Sequence, residues 1–125
     1  MPVLLGSDVW GQPMKKNTGD LLTQKGMDVF DMGIVSEANA YIVGSVIHNN
    51  PGWIAVVFCQ NPNCLSILLN NHYTNVRAVV ATDNVEDLVQ AKRRHGLQAN
   101  VLCISSPVTN PAHWVGTLVN DFVLV

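Results

Sequence analysis

Short apolar runs alternate with stretches of helical periodicity along the whole chain. Val3-Leu4-Leu5 is a short, fully apolar run leading into Gly6-Ser7-Asp8. Met14 to Lys25 has helical spacing and is stopped by Gly26. Asp28-Val29-Phe30-Asp31 is a second strand closed by Gly33, and Asn39 to His48 a second helix ending in the turn Asn49-Asn50-Pro51-Gly52. Trp53 to Phe58 is the most apolar strand. Asn61-Pro62 then opens a helix through Asn71, pairing an N-cap residue with a proline at the first helical position. Val76 to Ala81 and Asn100 to Ile104 are the fourth and fifth strands. Between them Asn84 caps a helix over Val85 to Arg94, acidic early and basic late, which Gly96 ends. Asn110-Pro111 repeats the cap-plus-proline start of a last helix running toward Val123.

Strands apolar on both faces and separated by helices predict a parallel sheet covered on both sides. The expectation is one α/β domain over residues 1–125, a three-layer α/β/α sandwich around a five-stranded parallel sheet. Right-handed crossovers place every strand's C-terminal end on one edge, where ligands of such folds bind. Asp8 and Cys59 stand at the ends of the first and third strands, so that edge holds the candidate chemistry.

Composition narrows the partners. The chain is 48% hydrophobic and only 13% charged, which points to a surface rich in neutral polar residues or buried in an oligomer. A net charge of −2 gives no pull toward nucleic acid or an anionic membrane. The basic cluster Lys92-Arg93-Arg94 reads as complementing a helix dipole. Cys59, Cys64 and Cys103 lack the spacing of a disulfide framework or a zinc set, which suggests a reducing, cytoplasmic setting. The N-terminus does not read as a signal peptide.

Each candidate residue has two readings. Cys59, at a helix N-terminus, is either a proton-transfer base with a depressed pKa or a small buried core residue. Asp8 either binds a substrate hydroxyl or forms a cap or turn. Trp10 stacks on a ligand or packs over its own loop. His95 is an acid/base group or a helix-end residue. Gln60, Asn61 and Asn63 offer hydrogen bonds to a ligand, with capping as the alternative for Asn61.

Five segments carry a family resemblance. Val3 to Gly11 resembles a first strand reading Gly-Ser/Cys-Asp-His-x-Gly, and Val29-Phe30-Asp31-Met32-Gly33 a second reading Val-Ile-Asp-x-Gly. Val56-Val57-Phe58-Cys59 with Ser66-Ile67 and Asn70 resembles Ile-Leu-Ile-Cys-Gly-Thr-Gly-x-Gly-x-Ser-x-x-Ala-Asn-Lys. Val76-Arg77-Ala78-Val79-Val80 resembles an Ile-Arg-Ala strand, and His95 with Asn100-Val101-Leu102 a His-Asn-Asp-x-Asn-Val-Leu segment. These are the motifs of the type B ribose-5-phosphate isomerase and galactose-6-phosphate isomerase family. The resemblance implies a Rossmann-like sandwich and aldose–ketose isomerisation of a sugar or sugar phosphate through an enediolate. It implies Cys59 as the base, Asp8 on the sugar, His95 in ring opening, no cofactor or metal, and a homodimer or homotetramer with shared sites. The chain departs from the pattern at Val9, where the family has His, and at Gln60-Asn61-Pro62-Asn63-Cys64, where it has a glycine-rich cradle. Two functions follow: an isomerase on an altered substrate, or a non-catalytic member that binds a small molecule or pairs with a competent homologue.

Overall fold

The computed structural model describes residues 2–36, 38–73, 75–93, 98–105 and 108–124, and the backbone alone of Cys64. Its strands are β1 (Pro2–Ser7), β2 (Asp28–Ile34), β3 (Ile54–Phe58), β4 (Ala78–Ala81) and β5 (Val101–Ile104). The helices are α1 (Gln12–Gln24), α2 (Ala40–Asn49), α3 (Pro62–His72), α4 (Val85–Ala91) and α5 (Pro111–Leu118), the last running into a π-helical turn, Val119–Val123. All strand pairs are parallel, in the order β2-β1-β3-β5-β4.

Side chains alternate between the two faces of strands that are buried from both sides. Val3, Leu5, Val56, Phe58, Leu102 and Ile104 enter a core with α1, α4 and α5, where Phe58 packs 6.0 Å from the Trp114 ring. Leu4, Ala55, Val57, Cys59, Val101 and Cys103 face the other way, onto α2 and α3. The sheet is wound leftward from β1 through α1 and rightward from β3 through α3, so winding reverses between β1 and β3.

The structure corrects the sequence reading in four places. Helix α1 begins before Met14, because Pro13 supplies its first turn and Gly11 its N-cap. Strand β2 continues past Gly33, which takes a positive φ of 82° at a register shift against β1. As an edge strand it is not buried on both faces: Phe30 is half-exposed and stacks on Trp53 at 5.0 Å. Helix α4 ends at Ala91, short of the basic cluster, with Lys92 at its C-cap and no basic residue in its last turn, and Arg94 lies outside the described residues. Lys92 is instead buried with its ammonium 4.8 Å from the Phe122 ring centre. Burial, and secondarily the charge of Arg77, lowers its pKa. Finally, Asn110 stands at the N-cap of α5 without a side-chain capping bond, whereas Asn84 does accept from the Glu86 N–H at 2.8 Å.

The β2 bulge is stabilised locally. Asp31 accepts from the Gly33 N–H at 2.7 Å and pairs with the buried Lys15 ammonium at 2.9 Å. Burial alone would raise the Asp31 carboxyl, but these two contacts hold it below its ordinary value.

The core also contains a polar defect. The Thr18 hydroxyl, fully buried in α1, has no hydrogen-bond partner among the described residues. A buried unsatisfied hydroxyl costs roughly 1–3 kcal/mol. Thr18→Val keeps the shape and removes the defect, so it should raise unfolding free energy by about 1 kcal/mol, read from the urea midpoint at unchanged m-value.

Candidate functional site

Where winding reverses, the chain leaves β1 and β3 in opposite directions, and their C-terminal ends form the switch point at which folds of this kind hold a ligand. Asp8 follows β1 and Cys59 follows β3, so the structure brings these two predicted residues together. Main-chain bonds fix the junction. The Asp8 N–H donates to the Phe58 carbonyl at 3.0 Å, and the Cys59 N–H to the Ile104 carbonyl at 3.0 Å.

The Asp8 side chain then ties the two loops. Its Oδ1 accepts from the Gly11 N–H at 2.8 Å and its Oδ2 from the Gln60 N–H at 2.8 Å. The turn reading of Asp8 is therefore realised, and an ionised carboxylate still has lone pairs for a ligand. Sequence reasoning missed this clamp and the role of Gly11, although the Asp-x-x-Gly spacing after a strand was available as a signal. A Cβ on Gly11 would lie 2.5 Å from the Phe58 carbonyl oxygen and 2.7 Å from the Phe58 Cβ. Only glycine allows the loop to lie this close to β3.

Cys59 projects toward the α2–α3 side and is buried, at 8% exposure. The expected depressed pKa is overturned. The Asn61 N–H at the helix start does favour the thiolate, but burial and then the Asp8 charge outweigh it, and the thiol is pushed up to about 11.

The polar loop residues are accessible. Gln60, Asn61 and Asn63 are exposed. Asn61 occupies the N-cap of α3 without a side-chain capping bond, which corrects that expectation. Trp10 is 69% exposed, so it does not pack over its loop. His95 lies outside the described residues. No three His, Cys, Asp or Glu side chains converge as a metal site among the described residues.

A family model described as Ribose/Galactose Isomerase matches residues 3–123. The chain belongs to the ribose/galactose isomerase family. Among solved structures it is similar to ribose-5-phosphate isomerase B from Giardia lamblia, with TM-score 0.79, 19% identity, and coverage of 99% of this chain and 94% of that one. The Thermotoga maritima ribose 5-phosphate isomerase aligns at TM-score 0.78 and 23% identity, covering 98% and 86% of the two chains. Ribose-5-Phosphate Isomerase B of Clostridium thermocellum aligns at TM-score 0.76 and 24% identity, covering 98% and 87%. At these identities the likeness establishes a shared fold. No curated protein matches the chain in sequence.

Two concavities lie elsewhere on this family member. One of about 360 Å³ is lined by Tyr41, Leu68, His72 and Tyr73 between α2 and α3, and one of about 450 Å³ follows α1 and β2 past Lys15 and Asp31. Neither includes Asp8 or Cys59. The described residues also include no helix long and apolar enough to cross a membrane.

The clamp yields a paired prediction. Asp8→Ala removes two charge-assisted bonds and should cost about 2–4 kcal/mol in urea unfolding, with Asp8→Asn costing less. Asp8→Asn also removes the negative charge beside the thiol, so the Cys59 titration should move down from about 11. The pH profile of iodoacetamide alkylation, resolved at Cys59 by mass spectrometry in a Cys64→Ser background, measures that shift.

Proposed function

We propose that this chain is an aldose–ketose isomerase whose proton-transfer group is Cys59. The observation that carries the reading is the pairing of Asp8 and Cys59 at the β1/β3 switch point, close enough for the Asp8 charge to raise the thiol. A base beside a hydroxyl-binding carboxylate is the equipment that enediolate chemistry requires.

In this mechanism the Cys59 thiolate removes the C2 proton of an open-chain aldose. The C–H electron pair forms the C1–C2 double bond of an enediolate, and the carbonyl electrons move onto O1. Return of the proton to C1, with transfer of the O2 proton to O1, completes the ketose. Asp8 accepts a sugar hydroxyl on lone pairs left over from its two backbone donors. His95 assists ring opening. The site works in a homodimer or homotetramer, without cofactor or metal, in the cytoplasm, where the free buried Cys59 and Cys103 stay reduced.

A second reading has its own support. The Gln60 N–H is committed to Asp8 and Pro62 has no N–H, which leaves this loop fewer backbone donors for an oxyanion. That favours a non-catalytic member which binds a small molecule or partners a competent homologue.

Turnover against pH separates the two readings. With the thiol titrating at about 11, four units above neutrality, only about one site in ten thousand holds thiolate at pH 7. Below that pKa the thiolate fraction grows with pH, so kcat/KM should rise about tenfold per unit from pH 7 to 10. Cys59→Ala should lose turnover at least a thousandfold while retaining its circular dichroism and thermal midpoint. Full activity in that variant contradicts the assignment of the base.

A further inference from the structure

We infer that the β1/β3 switch point takes an uncharged sugar, held by Trp10, the side-chain amides of Gln60 and Asn63 and the carboxylate of Asp8, in preference to a sugar phosphate. The inference rests on the proposed sugar-binding role of this edge and adds the class of substrate.

Three independent features of the edge agree. The first is hydrogen bonding. Phosphate bound where a strand passes into a helix relies on free backbone N–H groups. After β3 the Gln60 N–H is engaged by Asp8 and Pro62 supplies none, which leaves only the first-turn N–H groups that follow Pro62. An anion using the Gln60 N–H would have to break the Asp8–Gln60 bond that joins the two loops.

The second is charge. Asp8 follows β1, Asp83 follows β4, and Glu86 and Asp87 lie in the first turn of α4, all at the C-terminal edge of the sheet. The described basic residues are placed or engaged elsewhere. Arg77 precedes β4 and donates to the Asn75 and Gln98 carbonyls. Lys25 ends α1, and Lys92 and Arg93 follow α4, at the opposite edge. Lys15 and Lys16 pair with Asp31 and Asp20. A phosphate approaching Asp8 meets repulsion, whereas a neutral sugar does not.

The third is what the loops present. Trp10 exposes 69% of its surface two residues from Asp8, and Gln60 and Asn63 are exposed on the neighbouring loop. Indole faces stack against the C–H face of a sugar ring. Primary amides both donate to and accept from vicinal hydroxyls, and a carboxylate accepts O–H donors.

The test uses the full chain with D-ribose, D-galactose, ribose 5-phosphate, galactose 6-phosphate and inorganic phosphate. Binding is measured by calorimetry and thermal shift, and isomerisation is assayed in parallel, on wild type, Cys59→Ala and Trp10→Ala. Free sugars should bind at least tenfold more tightly than their phosphate esters, and inorganic phosphate should leave Tm unmoved. Trp10→Ala should weaken free-sugar binding about tenfold with an unchanged Tm of the apo protein. A phosphate ester bound or turned over as well as its free counterpart overturns this inference and leaves the isomerase reading standing. A free sugar bound but not turned over supports the inference and overturns the isomerase reading. Failure to bind or turn over either form overturns both, and full affinity in Trp10→Ala overturns the stacking assignment.

Discussion

The Asp8 carboxylate, held between the backbone N–H groups of Gly11 and Gln60, joins two loops that the fold sends apart. Winding reverses between β1 and β3, and the main-chain bond from the Asp8 N–H to the Phe58 carbonyl carries the ladder only as far as the start of the two loops. The clamp joins them from one side chain, and the missing Cβ of Gly11 lets the loop lie against Phe58. Cys59 is thereby fixed beside a negative charge. Charge-assisted bonds of this kind are shorter and stronger than neutral ones, which suits a contact that has to hold two connections in register.

The same contact shapes the chemistry. By engaging the Gln60 N–H, Asp8 removes a donor from the loop after β3 while adding a charge that opposes both a thiolate and an anionic ligand. The remaining resources are an exposed indole, exposed amides and spare carboxylate lone pairs. Family membership supplies the scaffold and the expectation of sugar isomerisation, and the local hydrogen bonding is what the proposed preference for an uncharged sugar rests on.

The sheet was legible in the sequence because strands such as Ile54–Phe58 are buried on both faces and read as unbroken apolar runs. Edge strand β2 was harder, since its length depends on a bulge at Gly33 held by Asp31 and Lys15, a tertiary contact with no sequence period. Helix caps were legible by position and less so by bonding: Asn84 caps with its side chain, but Asn61 and Asn110 do not. The identity of the candidate site was legible as a pair of strand ends, Asp8 and Cys59. The direction of the Cys59 shift was not, because position at a helix N-terminus was evident whereas burial and the neighbouring charge arise only on folding. Lys92 shows the same limit, reading as part of a cluster that complements a helix dipole and folding against Phe122.

The most direct test of the account is solvent isotope incorporation. Wild type and Cys59→Ala would each be incubated with an unphosphorylated aldose in D2O, and the ketose examined by proton NMR. Proton transfer through Cys59 predicts ketose from wild type, carrying at C1 the deuterium that the thiol exchanges with solvent before it returns the proton, and no ketose from the variant above the uncatalysed background. Ketose formed by the variant as fast as by wild type, with the same deuterium content at C1, would contradict Cys59 as the proton-transfer group.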